Sequence, residues 1–157
     1  MTLAIDQAAP DFSVAATGPN GNTTVSLADH KGSHVVLYFY PRDNTPGCTR
    51  EGEDFRDHHA EFKEAGAVIL GVSRDSLRKH ENFRAKYDFP FPLLSDEDGK
   101  LCEAYDVIKE KKLYGKPYVG IERSTFLIDA NGLLKREWRG VKVKGHASEV
   151  LAAVQSL

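Results

Sequence analysis

An α/β fold built on a central mixed β-sheet flanked by helices is predicted by three features of this sequence. Two short apolar runs, Val35-Val36-Leu37-Tyr38-Phe39-Tyr40 and Ala67-Val68-Ile69-Leu70-Gly71-Val72-Ser73, have the length and β-branched or aromatic content of buried strands. Between them the stretch Thr49 to Ala65 is charged and amphipathic with helical spacing. Near the C-terminus, Asn131-Gly132 separates two further β-prone runs, the strongest short-range signal of an antiparallel hairpin.

The totals narrow the class. At 157 residues the chain is expected to form one domain spanning residues 1–157, and 41% apolar with 28% charged residues suits a globular protein with a full core. A net charge of -2 leaves no basic footprint for nucleic acid and no cationic face for a membrane surface. No apolar run approaches the roughly 20 residues that cross a bilayer, and Met1 to Asp6 lack the features of a secretory signal, so a cytoplasmic location is expected. Two widely separated cysteines, Cys48 and Cys102, are not a disulfide framework; in a reducing compartment they are either catalytic or buried.

Taken in order, Asp11–Val14 and Thr23–Leu27 flank the turn residues Gly18 to Asn22 and predict an N-terminal β-hairpin extension. The Val35–Tyr40 strand, the helix after Cys48 and the Ala67–Ser73 strand follow. Ser73 or Asp75 is expected to cap a helix over Ser76–Tyr87, ending before Pro90 and Pro92. A short strand at Phe91–Leu94 then precedes a brief helix presenting Leu101, Cys102 and Tyr105. Lys109–Gly120, basic and broken by Gly115, Pro117 and Gly120, reads as a solvated surface connection. Strands at Ser124–Asp129 and Leu133–Trp138 form the closing hairpin, and a helix over Ala147–Gln155 buries Val150, Leu151 and Val154. A strand feeding a helix opened by a cysteine, closed by a hairpin and a helix, meets the requirements of a thioredoxin-like fold.

The chemistry centres on Pro41-Arg42-Asp43-Asn44-Thr45-Pro46-Gly47-Cys48, which delivers one cysteine to a helix start. Unpaired N–H groups and the positive end of the dipole there favour a thiolate over a thiol. Cys48, Gly52, Phe55, His59 and Phe62 recur at spacings of four and three, so Cys48 shares the face that Phe55 and Phe62 bury. A random buried cysteine is more often inert than reactive. Here Pro41, Pro46 and Gly47 fix the loop with little bulk, and Thr45 places a hydroxyl nearby. His58 and His59 are adjacent on a helix and cannot share a face, so they give no metal site, and Gly115 to Gly120 lacks the strand-to-helix setting of a phosphate loop.

Pro41, Thr45 and Cys48 reproduce the PxxxTxxC spacing of the peroxiredoxins, and Thr45-Pro46-Gly47-Cys48-Thr49-Arg50-Glu51 resembles their bacterioferritin comigratory protein, or peroxiredoxin Q, branch. Gly71-Val72-Ser73, Phe91 to Asp96 and Gly120 to Asp129 extend the resemblance over nearly the whole chain. The resemblance implies a thiol peroxidase for hydrogen peroxide and organic hydroperoxides, with no cofactor and no metal. Cys48 would attack the peroxide and become a sulfenic acid, Thr45 would hydrogen-bond thiolate and peroxide, and Pro41 would close the pocket against water. Arg123 would supply a permanent cation and donors to the peroxide oxygens, Gly47 would line the substrate side, and Glu51 would orient Arg123. On composition alone, Arg123 could equally be a surface residue and Glu51 a favourably placed acid of the first helical turn. Because thiolate fraction gains little more than an order of magnitude at neutral pH, most of the acceleration must come from transition-state stabilisation.

Many relatives carry a second, resolving cysteine five residues after the first; this chain has Glu53 there. A second subset places it on the following helix, but Ser76–Tyr87 contains none. Cys102 is the remaining internal candidate, against a one-cysteine cycle that draws on thioredoxin, glutaredoxin or glutathione. The branch also implies a monomer. A thioredoxin-type disulfide reductase would need Cys-x-x-Cys, where Thr45 stands; a redox-sensing module of the same fold is the rival of another class.

Overall fold

The computed structural model describes residues 3–157. Seven strands form one mixed sheet in the order β2-β1-β5-β4-β3-β8-β9, from β1 (Ser13–Gly18), β2 (Gly21–Ser26), β3 (His34–Phe39), β4 (Ala67–Ser73), β5 (Leu93–Ser95), β8 (Ser124–Ile128) and β9 (Leu134–Arg139). The pairs β3/β4 and β4/β5 are parallel; β1/β2, β1/β5, β3/β8 and β8/β9 are antiparallel. β6 (Ile108–Leu113) and β7 (Lys116–Ile121) make a separate two-stranded sheet. The helices are α1 (Pro46–Asp57), α2 (His59–Glu64), α3 (Leu77–Tyr87), α4 (Lys100–Ala104) and α5 (His146–Gln155).

β3 is central because both of its faces are apolar. Val36, Tyr38 and Tyr40 point to one side, where they meet Phe55 of α1, Phe62 of α2, Phe83 of α3 and Val150 and Val154 of α5. Val35, Leu37 and Phe39 point to the other and pack with Leu101 and Cys102 of α4, Tyr105, Val107 and Ile121. A run without polar interruption is what a strand covered on both faces requires. The N-terminal hairpin extends the sheet through Ala16 and Thr17, which pair with Leu94 and Leu93.

Three local expectations need correction. Lys109–Gly120 is not a surface connection but most of the β6/β7 hairpin, closed at Tyr114 (φ 53°) and Gly115 (φ 78°), the positive pair that a two-residue hairpin turn demands. Most of its side chains face water, so no burial-driven alternation marks it. The helix after Cys48 breaks at His58 (φ -100°, ψ 4°), whose Nδ1 lies 2.9 Å from the Asp54 carbonyl that would otherwise serve the helix alone. Neither Ser73 nor Asp75 caps α3: the Ser73 hydroxyl donates to Asp75 Oδ2 at 2.5 Å, and Ser76 Oγ accepts from the Lys79 N–H instead.

Candidate active site

α1 opens at Thr45, extended at φ -94° and ψ 156°, followed by Pro46 at the first helical position, where its missing N–H costs nothing. The first helical bond runs from the Thr49 N–H to the Thr45 carbonyl at 2.8 Å, so the Gly47 and Cys48 N–H groups have no helical acceptor. Cys48 sits in this turn at 2% exposure, on the same buried face as Gly52, Phe55 and Phe62, with His59 half-buried. Gly52 is there because Phe89 lies against it: a Cβ would meet Phe89 Cζ at 2.5 Å. Gly52→Ala is therefore expected to lower the thermal midpoint, costing about 1–3 kcal/mol as an overpacked core does; an unchanged midpoint in calorimetry would remove that packing argument.

Arg123 comes in from the chain between β7 and β8 and spans the turn like a fork. Its Nη1 donates to Glu51 Oε1 at 2.6 Å and its Nη2 donates to Cys48 Sγ at 3.5 Å. The side chain is 16% exposed, so it is not the free surface arginine that composition allowed. A Cβ on Gly47 would stand 3.1 Å from Nη2, which explains a glycine at the second helical position. The fork needs a planar guanidinium; an ammonium is a point charge and cannot hold both partners.

Glu51 is buried, with Oε1 engaged by Arg123 and Oε2 without a hydrogen-bond partner among the described residues. Burial pushes its carboxyl from the ordinary 4.5 up to about 7, against the pull of Arg123. A group whose folded pKa is raised binds more protons in the fold, so its stabilisation is complete below about 4.5 and is lost as pH rises through about 7. Glu51→Gln keeps an acceptor for Arg123 and removes the titration. The melting temperature of the native chain should fall relative to this variant between about pH 5 and about pH 8, and parallel curves would contradict the assignment.

The Thr45 hydroxyl donates to the Arg42 carbonyl at 3.0 Å and not to the Cys48 sulfur, which leaves its lone pairs to accept. Pro41 is exposed and forms, with Thr45, Arg42, Lys111, Tyr118 and Ile121, part of the wall of a cleft of about 820 Å³.

Two nearby groups were not legible as site residues. Tyr38 is fully buried below the turn, its hydroxyl has no hydrogen-bond partner among the described residues, and burial first, then the charges of Glu51 and Cys48, hold it well above its ordinary pKa. Its aromatic β-strand setting reads as core wall, and nothing in the sequence marks it otherwise. Lys111 donates to the Ile121 carbonyl, and burial followed by the Arg123 charge lowers its pKa. Recognising β6 as a strand would have placed it at the cleft. Cys102 lies in the core on the opposite face of the sheet from Cys48, its N–H donating to Asp96 Oδ2 at 2.8 Å. Burial, reinforced by Asp96, pushes its thiol far up, which makes it a poor nucleophile.

The chain belongs to the AhpC/TSA family, whose model matches residues 5–137. Within that family it is a peroxiredoxin of thioredoxin-like fold, a thiol-dependent peroxidase of the Bcp and peroxiredoxin Q kind. It is 55% identical to "Peroxiredoxin Bcp" of Bacillus subtilis over 157 residues, 100% of this chain and 98% of that one. A solved Xanthomonas campestris "Peroxiredoxin Q" is 52% identical with a TM-score of 0.88, over 99% of this chain and 96% of that one. A second X. campestris structure, equally similar at 52% identity and TM-score 0.88 over 99% and 97% of the two chains, is described for the alkyl peroxide reduction activity of its bacterioferritin comigratory protein.

Proposed function

We propose that Cys48 is the peroxidatic thiol and that it works in a one-cysteine cycle. The observation that carries this reading is the Arg123 fork, which joins the Cys48 sulfur to Glu51 over a helix start with free N–H groups. The Cys48 thiolate attacks one peroxide oxygen; the S–O bond forms as the O–O bond breaks, and the leaving alkoxide or hydroxide takes a proton to leave as alcohol or water. Thr45 accepts from the peroxide O–H, and Arg123 with the Gly47 and Cys48 N–H groups stabilises the charge that moves from sulfur to oxygen. Pro41 walls the approach.

The sulfenic acid is then attacked by a thiol from outside the chain, giving a mixed disulfide and water, and a second thiol releases Cys48. Glu53, the absence of cysteine in α3 and the position of Cys102 across the sheet all support this route. Thioredoxin, glutaredoxin or glutathione supplies the thiol. Organic hydroperoxides join hydrogen peroxide as substrates, since the cleft beside Thr45 carries the apolar wall Leu113, Tyr118 and Val119 and the X. campestris relative is described with alkyl peroxide reduction. The enzyme acts as a cytoplasmic monomer formed from one domain; no helix among the described residues is long and apolar enough to cross a membrane.

Peroxide consumption coupled in turn to each of the three reductants tests the proposal. Turnover is expected with at least one of them in the native chain and in Cys102→Ser. Oxidation of Cys48 without turnover by any of them would favour the redox-sensing reading instead.

A further inference from the structure

The β6/β7 hairpin gives little to the core. Ile108 and Ile121 at its base pack there, while every residue from Lys112 to Val119 is exposed. Yet Leu113, Tyr114, Tyr118 and Val119 are four of the six large apolar side chains exposed among the described residues, so the apolar surface is gathered on this one element. Tyr114 stands at the turn, 96% exposed and in the left-handed region at φ 53°, where an asparagine would serve the backbone better. The turn itself has no use for an aromatic ring. The hairpin is also basic, with four lysines and one glutamate from Lys109 to Lys116. Lys109 is paired with Asp106 at 3.2 Å and Lys111 donates to the Ile121 carbonyl, whereas Lys112 and Lys116 are exposed and have no ion-pair partner among the described residues. The cleft walled by Lys111, Leu113, Tyr118 and Val119 adds the exposed cations Arg42, Arg74 and Lys79. Against them it has exposed Glu97 and the half-buried Asp75, already engaged by the Ser73 hydroxyl and the Asp43 N–H.

We propose that the β6/β7 hairpin is the docking surface for the protein that reduces oxidised Cys48, a partner that carries its thiol in an apolar patch rimmed by carboxylates. The inference rests on the one-cysteine reading above, in which the second thiol comes from outside the chain. One cleft joins the hairpin to Pro41 and Thr45 of the Cys48 loop, so a partner seated on the hairpin brings its thiol to that loop. Size favours a protein. From Ile121 to Lys116 β7 runs about 17 Å at roughly 3.4 Å per residue, whereas a tripeptide such as glutathione is about 10 Å long when fully extended. Charge disfavours a second copy of this chain, since a two-fold pair sets the same patch against itself and brings Lys112 and Lys116 toward their own counterparts. A lipid surface would meet the same charge, but it brings no thiol to the place where the cycle needs one.

The test compares the full native chain with Lys112→Glu/Lys116→Glu and with Tyr114→Asn, using a thioredoxin of net negative charge as the probe. Tyr114→Asn suits the left-handed turn and removes the ring, so it keeps the hairpin formed. The second-order rate of reduction of the oxidised chain by thioredoxin is expected to fall about tenfold or more in the double variant at low ionic strength, with the gap closing in about 0.5 M salt. Tyr114→Asn is expected to lower that rate about fivefold, the scale of a lost aromatic anchor. Oxidation by hydrogen peroxide, followed by intact mass, and reduction by dithiothreitol, which is small and uncharged, should be the same in all three proteins. Equal thioredoxin rates in the three, a loss shared with dithiothreitol, a loss in the double variant that salt does not relieve, or no turnover of the native chain with thioredoxin would each overturn the proposal. So would variants that abolish a native dimer in sedimentation, or native binding to phosphatidylglycerol vesicles, while the thioredoxin rate stays unchanged; these results would assign the face to a second copy or to lipid. A bond between Cys48 and Cys102 after peroxide would instead overturn the one-cysteine reading, and intact mass reports it before any thioredoxin is added.

Discussion

Replacing Cys48 with serine is expected to reduce peroxide turnover to the uncatalysed background while leaving the fold in place. Serine is slightly smaller than cysteine, and the buried face of Gly52, Phe55 and Phe62 that holds the turn is untouched. A hydroxyl at this position is a weak nucleophile at neutral pH, and among the described residues the hydrogen-bond partner of the Cys48 side chain is the cation Arg123, not a general base. In the proposed mechanism the donors assembled around the turn stabilise departing charge and do not replace the attacking sulfur. Peroxide consumption with a saturating thiol reads the effect, and residual turnover comparable with the native chain would end the assignment of Cys48.

Arg123→Ala is expected to lower the second-order rate with peroxide by about 10²–10³, the loss seen when one preorganised donor to a developing anion is removed. The native guanidinium reaches Cys48 Sγ and Glu51 together, so Arg123→Lys should recover little of this loss. Stability should follow a different course. Removing one partner of a buried pair ordinarily costs about 3–5 kcal/mol because a charge is left alone. Here burial already pushes the Glu51 carboxyl up to about 7, so the orphaned group takes up a proton and the destabilisation should be smaller. Adding Glu51→Gln to Arg123→Ala is expected to restore the melting temperature without restoring the rate. A double variant that regains activity would show that Arg123 serves the fold and not the reaction.

Most of the scaffold was legible because burial writes itself into spacing. β4 matches its apolar run, and the strand, loop and helix around Cys48 follow from β-branched residues giving way to Pro46 and Gly47. The β6/β7 hairpin escaped because its Lys-rich strands bury almost nothing, which erases the alternation that marks a half-buried strand. At the site, Cys48, Arg123 and Glu51 meet as expected and Gly47 makes room for the guanidinium. The direction of the Thr45 proton was beyond reach, since the Arg42 carbonyl that takes it is placed by the loop's path and not by residue type. Cys102 was ambiguous for a related reason: the α4 register that turns it toward the far face of the sheet is fixed by Asp96 accepting from the Leu101 and Cys102 N–H groups.

The most direct measurement is the intact mass of native, Cys48→Ser and Cys102→Ser protein after one equivalent of hydrogen peroxide in the absence of thiol. The account predicts a gain of one oxygen atom in the native chain and in Cys102→Ser, with no gain in Cys48→Ser. A loss of two hydrogens in the native chain that vanishes in both variants would contradict it, because that result requires a bond between Cys48 and Cys102 across the sheet.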